Sequence, residues 1–115
     1  MKKKNIVKKS DVFTKIIKTA KPYRQQGYLI FLERSTVPDF QFGITVSNKV
    51  GNAVTRNRIK RQIKSIIDKN HYQNNFKCII IIKREILEKS YDVLERELNE
   101  YFFKYKLLED QHEEN

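Results

Sequence analysis

The sequence predicts a single-domain α+β fold, with elements in the order α-β-β-α-β-α and a three- or four-stranded sheet carrying the helices. Three observations predict it. The chain has 115 residues, enough for one domain with a modest core and no need of disulfides or a structural metal. Its apolar residues switch along the chain between the strand period of about 2 and the helix period of about 3.6. No internal repeat, low-complexity linker or compositional break interrupts that pattern, so residues 1–115 read as one unit, with a basic extension at 1–9 and an acidic tail at 109–115.

The elements follow in order. The basic residues up to Lys9 read as extended. Ser10 and Asp11 are helix-starting residues. Phe13, Ile16, Ile17 and Ala20 then recur at helical spacing, so a short amphipathic helix runs to about Ala20, with Pro22 past its end. Tyr28, Ile30 and Leu32 alternate with Leu29, Phe31 and Glu33, which marks a strand. A turn-like stretch, Ser35-Thr36-Val37-Pro38-Asp39, leads to a second strand, where Phe42, Ile44 and Val46 alternate with Gln41, Gly43, Thr45 and Ser47. The short connection predicts that these two strands form an antiparallel hairpin. Gly51-Asn52 breaks the chain before a helix over 53–69. Residues 76–83 are apolar on both faces, as in a central strand. Ser90 is an N-cap for a last helix whose buried stripe is Tyr91, Leu94, Leu98, Tyr101, Phe102 and Tyr105.

The charge is unevenly placed. Of a formal net +10, residues 1–84 contribute twenty basic against four acidic side chains, and residues 85–115 four against ten. Between Phe40 and Ile67 six basic residues occur and no acid, which a mixed solubilising surface would rarely produce. Such a field gathers phosphates and points to a polyanionic partner. Membrane binding fits poorly, because the basic segments lack an opposing insertion face, and no apolar run reaches the roughly 18 residues of a span. The N-terminus carries no signal-peptide apolar core. The single cysteine, Cys78, lies in an apolar run and reads as a buried strand thiol. The chain therefore reads as soluble and cytoplasmic.

The helix over 53–69 carries the chemistry. On a wheel of about 100° per residue, Ile59, Ile63, Ile66 and Ile67 share one arc that packs on the sheet. Asn57, Arg58, Lys60, Arg61 and Lys64 cover much of the opposite arc. Arg56 falls toward the apolar side in the first turn. Guanidinium forks suit phosphates because they donate paired hydrogen bonds in a plane and stay charged. Asn57 can address a sugar, a base edge or a metal-bound water. Lys49, Gly51 and Asn52 lead into a helix N-terminus that adds backbone donors for an anion. A solvated helix face usually mixes Glu with Lys, and this one has no acid until Asp68. A strand precedes the helix, not a helix-turn-helix partner, which favours RNA over duplex DNA.

Over Phe42-Gly43-Ile44-Thr45-Val46-Ser47-Asn48-Lys49-Val50-Gly51-Asn52-Ala53-Val54-Thr55-Arg56-Asn57-Arg58-Ile59-Lys60-Arg61 the sequence resembles the bacterial ribonuclease P protein family. The Arg-Asn-Arg stretch with the following Lys-Arg pair is that family's signature. The resemblance extends loosely over the whole chain. It implies a small α/β sandwich with a left-handed β-α-β crossover, an exception to the usual hand. It implies a protein subunit that helps a catalytic RNA cut the 5′ leader from precursor tRNA. Lys49, Asn52, Arg56, Asn57, Arg58, Lys60, Arg61 and Lys64 would dock on that RNA. A cleft between the first helix and the sheet, with Phe13, Ile17 and Phe31, would hold the single-stranded leader. The protein would act as a monomer, one per RNA, with no cofactor of its own and Mg²⁺ in the RNA-containing holoenzyme. There are departures: Ile17 replaces a frequent aromatic, Phe31 a frequent Tyr, Asn48 a common Lys and Lys64 a common Arg.

The chain itself displays no nuclease constellation. Its four acids before position 85 are scattered. His71 and His112 have no obvious partner, so no catalytic or metal-binding residue is assigned. Three other readings share the basic helix: a structural ribosomal RNA-binding protein, a protein-only nuclease and a DNA-binding regulator.

Overall fold

Four strands form one mixed sheet in the order β1-β2-β4-β3: β1 (Tyr23–Gln25), β2 (Tyr28–Arg34), β3 (Phe40–Val46) and β4 (Phe76–Ile82). Among the described residues three α-helices flank it, α1 (Ser10–Thr19), α2 (Ala53–Asp68) and α3 (Tyr91–Lys104). The structure, a computed structural model, describes residues 1–8, 10–34 and 38–109. Lys9, the 35–37 part of the expected turn, His112 and the rest of the acidic end from 110 onward lie outside those residues.

The sheet corrects one expectation. The runs at β2 and β3 do not pair as a hairpin. β4 lies between them, antiparallel to β2 and parallel to β3. The physical reason lies in β4 itself. Its side chains are fully buried on one face of the sheet and, on the other, Ile79 is buried between half-buried Lys77 and Ile81, and its backbone groups need partners on both sides. β3, with exposed Thr45 and half-buried Gln41, can stand at an edge. The hairpin that does form is β1–β2, which the sequence reading missed. Its turn, Gln26-Gly27, uses a left-handed glycine at φ +96°, and a Cβ there would lie 2.8 Å from the Ile86 backbone nitrogen.

The remaining edge, that of β3, is partly covered. The N-terminal segment is not simply extended. It forms a 3-10 turn at Lys3–Asn5 and then bridges β3, where the Val7 N–H donates to the Phe42 carbonyl at 2.9 Å. The buried Asn5 side chain donates to the Phe40 carbonyl at 2.7 Å. Covering an edge in this way occupies groups that would otherwise template aggregation.

The pleat separates two cores. Tyr28, Ile30, Phe42, Ile44, Phe76, Cys78, Ile80 and Ile82 face α2 and α3 and form the main one with Ile59, Ile63, Ile66, Ile67, Leu94, Leu98 and Phe102. The four isoleucines of α2 are all buried, as the wheel predicts. Burial also pushes the Cys78 thiol up from its ordinary pKa, in keeping with a strand thiol. The opposite face carries a smaller core of Val7, Ile16, Phe31 and Ile79 beneath α1. A polar network ties α3 to the sheet. Lys89 donates to both carboxylate oxygens of Glu97, at 2.7 and 2.9 Å, and the Tyr28 hydroxyl donates to the same carboxylate at 2.9 Å.

Candidate nucleic-acid interface

The loop before α2 is built by local hydrogen bonds. The Ser47 hydroxyl accepts from the Lys49 N–H at 3.2 Å, starting a 3-10 turn at Asn48–Val50. Asn52 is the N-cap of α2, its side-chain oxygen accepting from the Thr55 N–H at 3.0 Å. Arg56 donates to the Gly51 carbonyl at 2.9 Å, so it pins the loop to the first turn of the helix. That bond explains its position on the wheel: the side chain runs back along the loop and is only half-exposed.

Beyond the first turn, Asn57, Arg58, Lys60 and Arg61 are exposed and Lys64 is half-exposed. Asp39, Asp68, Glu95 and Glu97 form ion pairs, and none of their partners lies on this face. Among the described residues, the face therefore holds five cations, counting Arg56, none of them in an ion pair. Its uncompensated charge is available to a polyanion. The donor set is guanidinium, ammonium and amide, without carboxylates, and does not fit a divalent cation.

The second part of the site lies on the α1 face of the sheet. Phe31, Ile79 and Gly43 are adjacent across β2, β4 and β3. The Phe13 ring sits over Gly43 so closely that a Cβ at Gly43 would come 2.5 Å from Phe13 Cζ and 2.8 Å from Ile79 Cδ1. Gly43 is thus the seat of the ring. Phe31, expected in the cleft, lies beneath α1 with 5% of its surface exposed and serves the smaller core. Phe13 is half-buried and Ile17 is 37% exposed, so these two of the three expected cleft residues offer surface to a ligand.

The next row across the sheet is Leu29, Ile81 and Thr45, half-buried or exposed. Ile81 also lines a groove of about 510 Å³ with Ser47, Lys49, Lys83, Arg84 and one acid, Glu85. The open sheet face is therefore continuous with the loop entering α2. Lys83 and Arg84 were not singled out by the sequence reading. They follow β4, and only the parallel β3–β4 pairing brings them beside Lys49. His71 is exposed after α2, and its carbonyl accepts from the Glu109 N–H at 2.9 Å.

Residues 1–106 match the ribonuclease P family model. The chain is 34% identical over 108 residues to the ribonuclease P protein component of Mesoplasma florum, covering 91% of this chain and 98% of that one. It is 36% identical over 105 residues to the Bacillus mycoides protein of the same name, covering 89% and 91%. Its fold resembles the Staphylococcus aureus RNase P protein with a TM-score of 0.78 at 25% identity, over 91% of this chain and 98% of that one. The Thermotoga maritima RNase P protein shares the fold at a TM-score of 0.71 and 20% identity, over 80% and 89%.

Proposed function

The chain belongs to the ribonuclease P protein family, and on that premise we propose how it serves as the protein subunit of this endoribonuclease. Its α2 face docks on the RNA subunit, and the α1–sheet cleft holds the single-stranded 5′ leader of precursor tRNA. The observation that carries the reading is the acid-free basic face of α2, fixed in place by the Asn52 cap and the Arg56–Gly51 bond.

The two surfaces act together. Arg58, Lys60, Arg61 and Lys64 neutralise phosphates of the RNA subunit and release counterions, which favours assembly most at low salt. Asn57 adds a hydrogen bond to sugar or base. The leader lies along the row Leu29, Ile81 and Thr45 against Phe13 and Ile17, apolar contacts that tolerate any base sequence. At the end of that row Lys49, Lys83 and Arg84 meet its phosphates, so the strand is handed toward α2. Phe31 supports the cleft from below. Hydrolysis of the phosphodiester is assigned to the RNA subunit with its Mg²⁺, which the basic face does not hold. The protein supplies position and charge. It works in the cytoplasm, one copy per RNA.

The test is cleavage of precursor tRNA at low Mg²⁺ by the cognate RNA subunit, with and without the protein. Strong stimulation, with product beginning at the mature 5′ end, is expected. No stimulation by folded protein, together with co-sedimentation on ribosomal subunits, would replace this reading with that of a structural ribosomal protein.

A further inference from the structure

One side of α2 meets α3 along half its length and a 3-10 segment along the other half. At about 100° per residue, Arg58, Gln62, Ser65 and Lys69 fall within one narrow arc beside the buried isoleucine seam. Over the C-terminal half, α3 bonds to this arc at its exposed edge. The hydroxyls of Ser65 and Tyr91 are 3.1 Å apart, and Lys69 donates to Glu95 at 2.9 Å. Over the N-terminal half α3 has not begun. The neighbour there is the 3-10 segment Arg84–Glu88, and a pocket of about 160 Å³ remains between them.

The pocket has an apolar floor and a polar rim. Ile59, Ile86 and Leu94 form the floor, with Arg58, Gln62, Leu87 and Tyr91 around it; Lys89 also lines it, its ammonium already held by Glu97. Arg58 and Gln62 have no hydrogen-bond or ion-pair partner among the described residues, and Leu87 is left 50% exposed. A phosphate needs no apolar floor, and the volume falls below the roughly 300–1,000 Å³ of pockets for larger ligands. A nucleobase matches both features, because its faces are apolar and its edge is polar. Guanidinium and primary amide are the side-chain groups that read base edges with paired hydrogen bonds. Unstacked bases are also what proteins most often recognise in RNA.

We propose that this pocket takes one nucleobase unstacked from the RNA that docks on α2. The inference rests on the RNA-binding reading of that helix. The occupant follows from continuity, since Arg58 belongs both to the basic face and to the pocket rim. The protein would then recognise its RNA at one nucleotide as well as by charge.

The experiment measures assembly of the full chain with the RNA subunit over a range of salt, for the wild type, Leu87→Ala and Gln62→Ala. Base-edge chemical probing of the RNA runs in parallel. Leu87 is half-exposed and Gln62 lies at the surface of α2, so both variants should keep the wild-type melting temperature. The expected result is a loss of about 5-fold or more in affinity with an unchanged salt slope. One nucleotide protected by wild type should become reactive with both variants. Wild-type affinity in both would overturn the pocket while leaving the docking of α2 intact. A loss accompanied by a shallower slope would mean phosphate contacts and overturn it equally. Failure of the wild type to bind the RNA would remove both readings.

Discussion

The Lys89–Glu97–Tyr28 network gives a stability experiment with a calculable outcome. Lys89 and Glu97 side chains are 9% and 14% exposed, so the pair is shielded from solvent. Replacing Lys89 with Met removes the ammonium, which also lies 5.5 Å from the Tyr28 ring centroid, and leaves the carboxylate buried. Breaking a buried pair from one side costs about 3–5 kcal/mol. The Tyr28 hydroxyl still donates to Glu97, which places the cost at the lower end, about 3 kcal/mol. At about 4 °C per kcal/mol for a domain of this size, the melting temperature should fall by about 12 °C. In Lys89→Met/Glu97→Gln the uncompensated charge is gone and Tyr28 keeps an acceptor, so about 2 kcal/mol should return. Urea unfolding of the two single variants and the double variant completes the cycle. A Lys89→Met cost below about 1 kcal/mol, or additivity within about 0.5 kcal/mol, would refute the argument that charge burial dominates here.

Three further outcomes are expected. Burial raises the pKa of Tyr28, Tyr72, Tyr101 and Cys78, and in Tyr28 the bond to Glu97 adds to it. The folded state thus holds these protons more tightly, so their stabilisation is complete below the unfolded values of about 8.5 for Cys and 10 for Tyr, and is lost as pH rises beyond them. Unfolding free energies from urea titrations should fall from pH 9 to 11, by about 1.4 kcal/mol per pH unit for each group whose unfolded value has been passed; a flat profile would count against it. Gly43→Ala should displace the Phe13 ring at a cost of about 1–3 kcal/mol and, like Phe13→Ala, weaken binding of precursor tRNA more than of mature tRNA; equal loss for both would remove the leader from this cleft. Arg58→Ala should flatten the salt dependence of assembly by about 0.7–0.9 in log–log slope, whereas Arg56→Ala should also lower the stability of the free protein by about 1 kcal/mol through its bond to Gly51; an unchanged slope for Arg58→Ala would exclude its phosphate contact.

The parts legible in the sequence were those fixed by local periodicity. The register of α2 follows from isoleucines spaced three and four apart, and its bare basic face from the absence of acids between Phe40 and Ile67. β4 declared itself central because both its faces are apolar. Partner choice between strands was not local. The short connection after Arg34 suggested a hairpin, but Arg34 and Phe40 stand on either side of Phe76 in β4, whose need for two neighbours overrides proximity in the chain. β1 has three residues, too few for an alternation to register, although Gln26-Gly27 was a turn signal in plain view. Phe31 showed the limit of assigning a ring to a cleft. Its alternation gives the sheet face but not how much of that face α1 covers. Lys83 and Arg84 escaped notice because a groove built from the ends of two parallel strands has no signature in either strand.

The strand order also governs how the molecule comes into being. β2 and β3 are made early, yet the edges they turn toward each other stay bare until β4 emerges, and α3 follows later still. The basic helix thus leaves the ribosome before most of its core exists, and the acidic residues of 85–115 appear last. Long-range closure of this kind slows folding and lengthens the exposure of unpaired strands. During that interval the nascent chain is a cationic helix joined to an unfinished sheet, able to meet polyanions before it can meet its own hydrophobic interior.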